Sequence, residues 1–84
     1  MSTECANFYS SEDTFTGEET LTLPATSREL IITNNSGSSD LEVQFYTSMT
    51  PLTLEPTETL SITFKTKTII LSGTNIPYKV WSIY

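Results

Sequence analysis

Apolar and polar residues alternate along much of the chain between residue 19 and its last residue. The segment 41–46 alternates Leu, Val and Phe with Glu, Gln and Tyr, and the segment 60–65 repeats this pattern. A period of two residues places one face of a strand against a core and the other face in water. Antiparallel sheets commonly keep one face in solvent, so the pattern predicts an all-β antiparallel domain.

Turn-forming residues divide this pattern into seven short strands, predicted at residues 19–23, 28–34, 41–47, 52–55, 58–65, 68–72 and 76–84. Pro24 and Pro56 end two of them, because proline cannot donate to a strand ladder. The Gly-Thr-Asn sequence at 73–75 predicts a turn before the last strand. Short strands about ten residues apart are typical of sandwiches and barrels. We therefore predict a small antiparallel β-sandwich or jelly-roll-like barrel of about seven to eight short strands.

Residues 1–18 lack this alternation and are rich in Ser, Thr, Glu and Asp. They are predicted to form an acidic N-terminal arm that precedes a single β-sandwich domain at residues 19–84. Three aromatic residues, Phe8, Tyr9 and Phe15, lie within this polar segment. Two interpretations are open: the arm folds back over its own sheet, or it docks on a neighbouring subunit.

The predicted core is small, because 84 residues make one small domain. Domains of this size often gain stability from disulfides, metals or oligomerisation. Cys5 is the only cysteine and the chain has no histidine, so neither an internal disulfide nor an ordinary zinc site is expected, and no cofactor is indicated. By elimination we expect a homo-oligomer. The predicted inward positions are Leu21, Leu23, Leu30, Ile32, Leu41, Val43, Phe45, Leu52, Leu54, Leu60, Ile62, Phe64, Ile69, Leu71, Tyr78 and Val80.

The charge of the chain argues against a nucleic-acid partner. Ten acidic and four basic residues give a formal net charge of −6, which has the wrong sign for binding phosphate backbones. The sequence opens without a basic segment or an apolar run, and no stretch approaches membrane-spanning length, so neither a signal peptide nor a membrane partner is expected. We expect synthesis in a reducing cytoplasm, with which the unpaired Cys5 agrees.

Catalytic residues are not indicated by the sequence. Without histidine there is no Ser-His or Cys-His pair. The adjacent acids at 12–13 and at 18–19 point apart on an extended chain, so they do not form a carboxylate dyad. We predict that the protein is not an enzyme.

The last predicted strand, residues 76–84, carries apolar side chains on both faces. A central strand buried on both sides would show this pattern, and so would a strand whose outer face is a subunit contact. For Trp81 two interpretations are open: it contacts a partner, as tryptophan often does at interface centres, or it fills the core with Tyr78 outside. Lys65 and Lys67 share one face and are predicted to be exposed, either protecting a strand edge or forming a basic patch that receives the acidic arm of a neighbour. The candidate interface residues are Phe8, Tyr9, Phe15, Trp81, Ile83 and Tyr84.

Five segments between residues 28 and 84 resemble small β-sandwich virion accessory proteins of tailed bacteriophages. They are Leu-Ile-Ile-Thr-Asn-Asn-Ser at 30–36, Leu-Glu-Val-Gln-Phe at 41–45, Leu-Glu-Pro-Thr-Glu-Thr-Leu-Ser-Ile at 54–62, Ile-Ile-Leu-Ser-Gly at 69–73 and Tyr-Lys-Val-Trp at 78–81. Such proteins are of the head decoration, cement or fibre-base type. Their functional residues are mostly contact surfaces, so the resemblance implies no catalytic residue.

The resemblance implies a virion structural protein, made in the host cytoplasm, that stabilises a particle through subunit contacts. Its implied partners are the major capsid protein or another virion protein, and a trimer is the implied oligomer. Two alternatives remain at this point. One is a receptor- or glycan-binding tip module of a tail or head fibre, with Tyr46, Trp81 and Tyr84 as an aromatic platform. The other is a small intracellular adaptor or inhibitor that lends a strand edge to a partner.

Overall fold

Residues 8–84 are described by the computed structural model and form six β-strands, with no helix among them. All strand pairs are antiparallel, which confirms the predicted all-β antiparallel class. Residues 1–7, which include Cys5, lie outside the described residues, as does the side chain of Phe8. The strands are β1 (Phe8–Thr22), β2 (Glu29–Asn34), β3 (Leu41–Gln44), β4 (Leu52–Leu54), β5 (Thr59–Ile62) and β6 (Thr68–Ile83).

The central strand of the sheet is β6. It pairs with β1 along both of its halves, with β3 near its start and with β2 near its end. Because β1 already occupies one side of β6, β2 and β3 lie on the other side. β5 then pairs with β2, and β4 pairs with β3. The single sheet therefore curls around one core, with β1, β4 and β5 as its outer strands.

A β-bulge, rather than a turn, occupies residues 73–75. Phe15 faces Ile76 and Gly17 faces Gly73, so β6 has one residue more than β1 between these two pairs. Asn75 has a φ of 53°, in the left-handed region that asparagine tolerates. The turn predicted at residues 73–75 is wrong. The strands predicted at 68–72 and 76–84 form the single strand β6, so the structure has six strands instead of the seven predicted. Residues that suit a turn also suit a bulge, because both need left-handed backbone.

The bulge reverses which residues of β6 point inward. Ile69 and Leu71 are buried before it, whereas Ile76, Tyr78 and Val80 are buried after it. The inward positions thus change from odd to even numbers, as one extra residue requires. The sequence pattern had already assigned Ile69, Leu71, Tyr78 and Val80 to the core, but as members of two separate strands.

Residues 8–18 of the predicted N-terminal arm belong to β1 and pair with β6 of the same chain. Of the two interpretations of the arm, these residues follow the first, because they fold back on their own sheet, as part of a regular strand. The domain boundary expected at residue 18 lies inside this strand. On the inward side of β1, polar Ser11 and Asp13 separate Tyr9 from Phe15, so the alternation of apolar residues is interrupted. The ladder to β6 stabilises this strand, and no local sequence signal reports that pairing.

The core draws on both halves of the curled sheet. Phe15 and Ile76 belong to it and were not predicted, whereas Leu52 and Phe64 were predicted inside and are each 40% exposed. Leu52 lies on the outer strand β4, and Phe64 lies beyond the end of β5. The core residues are Phe15, Leu23, Leu30, Ile32, Leu41, Val43, Phe45, Leu54, Ile69, Leu71, Ile76, Tyr78 and Val80.

Candidate protein-binding surface

The outer side of the sheet near the end of β6 carries a partly exposed tryptophan. Trp81 is 38% exposed and points away from the core, since its neighbours Val80 and Ser82 are buried. This decides between the two interpretations of the last strand: Tyr78 fills the core and Trp81 faces outward. In the ladder, Trp81 lies between Ile31 of β2 and Ser10 of β1.

A shallow groove beside this tryptophan has a volume of about 210 Å³. It is lined by Ile31, Thr33, Lys79 and Trp81, and we call these four residues the Trp81 face. Lys79 Nζ lies 4.8 Å from the centroid of the Trp81 ring, within cation–π range. This contact holds the ammonium beside the ring, so the face presents an apolar surface with a positive charge at one side.

β2 supplies the second half of the Trp81 face. The pairing of Ile31 with Trp81, and of Thr33 with Lys79, aligns the two strands across the groove. Ile31 and Lys79 are not among the predicted interface residues. A signal was present, because Ile31 lies between the inward Leu30 and Ile32 and therefore had to point outward.

One side of β1 adjoins the Trp81 face. We call the side of β1 that faces away from β6 the β1 edge. Among the described residues β1 pairs with β6 alone, so this edge has no strand partner within residues 8–84. Glu12 lies beside Lys79 in the ladder, and Ser10 lies beside Trp81. The β1 edge and the Trp81 face therefore form one continuous surface.

The structure separates the predicted interface residues into different environments. Phe15 is 8% exposed and belongs to the core, so it is not a surface contact. Tyr9 is half-buried against the core. Ile83 and Tyr84 are half-buried at the end of β6, where Ile83 pairs with Glu29 and with the backbone of Phe8. Among the members of this set whose side chains are described, Trp81 is the exposed one.

The aromatic platform considered for glycan binding is not assembled. Tyr46 follows β3, whose Gln44 pairs with Ile70 at the start of β6. Tyr84 follows the other end of β6, 14 residues further along the chain than Ile70. On β6 the Trp81 side chain points outward, whereas its neighbours Val80 and Ser82 point inward. The three rings therefore do not share one surface.

Lys65 and Lys67 are exposed, as both interpretations of them require. They lie in the segment between β5 and β6, which buried Ser27 anchors. Ser27 Oγ donates to the Phe64 carbonyl at 2.6 Å and accepts from the Thr66 amide at 3.1 Å. Their exposure does not distinguish edge protection from a basic patch.

A second, more open groove of about 350 Å³ lies where β3 meets the start of β6. It includes the carboxylates of Asp40 and Glu42 beside Ser72 and Gly73. Within residues 8–84 no group of three or more His, Cys, Asp or Glu side chains is arranged to hold a metal ion. The same residues include no helix that is long and apolar enough to cross a membrane.

Comparisons of this chain with protein-family models, with curated proteins and with solved structures find no match.

Proposed function

We propose that this protein is a non-enzymatic structural protein of a tailed-bacteriophage virion. In this proposal it decorates a capsid or tail surface and stabilises the particle through contacts with the major capsid protein or another virion protein. The observation that carries the binding role is the continuous surface formed by the Trp81 face and the β1 edge. The resemblance of the strands and turns between residues 28 and 84 supports the virion setting.

A docking role needs only part of the surface of the chain. A standard interface buries about 800 Å² on each partner, which is about a sixth of the 4747 Å² surface of the described chain. Partly exposed tryptophan is a frequent anchor of such contacts, because one ring buries a large apolar area with little loss of conformational freedom. The net charge of −6 keeps free copies apart in solution before they add to a particle. A trimer is the oligomer that the resemblance favours.

The abundance of the chain in purified particles tests the virion setting. Quantitative mass spectrometry should find many copies for a decoration protein, in a number that follows the symmetry of the capsid. A small number would place the protein in a tail, collar or fibre instead. If the chain is missing from purified particles, the proposal is wrong.

The Trp81 face is tested by the variant Trp81→Ala. Hot-spot truncations cost about 2 kcal/mol or more, so we expect particle binding to weaken at least about 30-fold. Tyr46→Ala is the matched control, because Tyr46 is 56% exposed and lies away from this face. Tryptophan fluorescence gives a second measurement: the emission of the free protein should be red and accessible to quencher, and should become blue on assembly. Equal binding by both variants would place the contact elsewhere.

A second candidate is a small intracellular adaptor or inhibitor that pairs its β1 edge with a partner. The 15-residue β1, which pairs on one side within the described residues, is the observation that favours it. Stoichiometric presence in purified particles would exclude this candidate. Recovery of the chain in a soluble complex, with none in particles, would favour it over the virion role.

A further inference from the structure

The three outer strands of the sheet differ in how well they are protected against pairing with another chain. β4 has three residues and β5 has four, and short edge strands pair poorly with other strands. β1 has 15 residues and contains no proline or lysine, and the charged residues along it are four carboxylates. Within residues 8–84 the longest outer strand therefore keeps one edge open, and a partner strand is what such an edge accommodates.

The charges of β1 indicate which side chains a partner strand should carry. Its carboxylates are Glu12, Asp13, Glu18 and Glu19. Across the ladder to β6 a basic residue faces one of them, where Lys79 pairs with Glu12; the others face Tyr78, Ser72 and Leu71. Cross-strand pairs of opposite charge stabilise a sheet, and like charges destabilise it. A strand added to the β1 edge is therefore favoured when it carries basic residues.

A second copy of the chain fits this edge poorly. Pairing two β1 strands brings together four carboxylates from each copy and no basic residue from either strand, whatever the register. When the two strands overlap completely in an antiparallel arrangement, Glu12 of each copy faces Glu18 of the other. Directly opposed like charges are unfavourable, so pairing between the β1 edges of two copies is disfavoured.

The register with β6 specifies the positions of the partner residues. Ser10 extends the row that contains Ile31 and Trp81, and Glu12 extends the row that contains Lys79. A partner residue beside Ser10 can extend an apolar side chain over this small residue towards Trp81. A partner residue beside Glu12 lies on the same face as Trp81 and is favoured when it is lysine or arginine. The adjacent partner residue, beside Asp13, lies on the other face of the sheet and is favoured when it is basic too.

We infer that the β1 edge between residues 8 and 15 binds an extended segment of a partner protein by strand addition. Running antiparallel to β1, this segment carries two consecutive basic residues beside Asp13 and Glu12, then any residue, then an apolar residue beside Ser10. Gly17 has a φ of 97°, which bends β1 and ends the straight part of the edge. The inference rests on the proposed docking function and names the chemistry of the partner.

A capped octapeptide tests the inference directly. The sequence Thr-Thr-Lys-Lys-Thr-Val-Thr-Thr matches residues 15 to 8 in the antiparallel direction. In nuclear magnetic resonance titrations of the full chain it should shift the amide signals of residues 8–15 and slow the hydrogen exchange of alternate amides there. A peptide with Glu-Glu in place of Lys-Lys should bind at least tenfold more weakly. Equal binding of the two peptides would overturn the inference.

Backbone pairing is separated from plain charge attraction by two further peptides. One carries N-methyl groups on its odd-numbered residues and the other on its even-numbered residues, and each modification blocks one edge of the peptide. One of the two should lose binding while the other keeps it. If both bind as well as the parent peptide, the contact is electrostatic only and strand addition is wrong.

Two protein variants with the same charge change locate the site. Glu12→Lys should weaken binding of the lysine peptide at least tenfold, whereas Glu42→Lys, at an exposed position of β3, should change it less than threefold. Thermal unfolding of both variants verifies that they are folded. If amides of residues 8–15 are protected in the free chain in proportion to its concentration, a second copy occupies the edge and the inference fails.

These outcomes are independent of the particle experiment. Peptide binding by a chain that is missing from particles would refute the virion role and leave the edge inference standing. Association with particles by a chain that does not bind the lysine peptide would refute the edge inference alone.

Discussion

The Tyr78 hydroxyl donates a hydrogen bond of 2.5 Å to Glu19 Oε2, and this contact joins the two long strands β1 and β6. Tyr78 is 1% exposed, and its ring meets Phe15 edge-on with the centroids 5.7 Å apart. Burial, followed by the hydrogen bond to Glu19, raises the pKa of Tyr78 to about 12. Folding therefore favours the neutral phenol.

This relationship predicts a loss of stability in alkaline solution. The pKa of tyrosine is 10.0 in the unfolded chain and about 12 for folded Tyr78. The unfolded state releases its proton first, so the contribution of Tyr78 is complete below about pH 10 and is lost as the pH rises through about 12. Two pKa units correspond to about 3 kcal/mol. Denaturant unfolding between these pH values should show a smaller decrease in Tyr78→Phe than in the wild type.

The control for this experiment is Tyr46→Phe, because Tyr46 is exposed and does not contact Tyr78. It should retain the alkaline decrease of the wild type. An equal decrease in the Tyr78→Phe variant would show that other groups cause the alkaline effect.

Phe15 should be required for stability although it lies in a segment with the composition of an arm. Its ring is buried in the core against Tyr78, so Phe15→Ala removes buried apolar area and leaves a cavity. We expect the free energy of unfolding to fall by about 3–5 kcal/mol. The neighbouring exposed Thr14→Ala should change it by less than about 0.5 kcal/mol. Equal stability of the two variants would mean that β1 does not pack on the core in solution.

Two glycines should differ in their tolerance of a methyl group. A Cβ at Gly73 would lie 2.5 Å from Ile76 Cγ1 and 3.3 Å from the Asp40 carbonyl oxygen, whereas a Cβ at Gly37 meets no atom within 4 Å. Gly73→Ala should therefore destabilise the bulge by about 1–3 kcal/mol. Gly37→Ala should be neutral to within about 0.5 kcal/mol. Thermal unfolding of the two variants measures the difference, and similar melting temperatures would contradict the close packing at the bulge.

Asn34 should be the most important polar side chain of the fold. It is fully buried, and its amide nitrogen donates to the Ser39 and Leu54 carbonyls at 2.8 and 3.0 Å while its oxygen accepts from the Ser36 amide at 2.9 Å. Asn34→Ala leaves these groups without partners, so we expect a loss of about 3 kcal/mol. Exposed Asn35→Ala is the matched control and should lose less than about 0.5 kcal/mol.

A chemical denaturation curve for each asparagine variant makes this comparison. A loss at Asn34 no greater than that at Asn35 would show that water replaces the amide without penalty, and hence that the site is open in solution.

Parts of the candidate surface followed from the sequence and parts did not. The two-faced pattern of the last strand predicted that either Tyr78 or Trp81 points outward, and no local signal chose between them. The choice depends on the bulge at residues 73–75, which sets the direction of every later side chain in β6. The β1 edge was not predicted, because polar Ser11 and Asp13 interrupt the apolar alternation on the inward side of β1 and the strand could not be recognised from its pattern.

The sequence by itself determined the all-β antiparallel class, most of the buried positions of β2 and β3, and the acidity of residues 8–22. These depend on local alternation and on composition, which each segment carries without reference to the others. Only the tertiary structure decided that the first and last strands pair, that Phe15 is core and that the β1 edge adjoins Trp81. Those features depend on pairs of residues that are 46 to 75 positions apart in the chain, and such pairings leave no periodic trace in either segment.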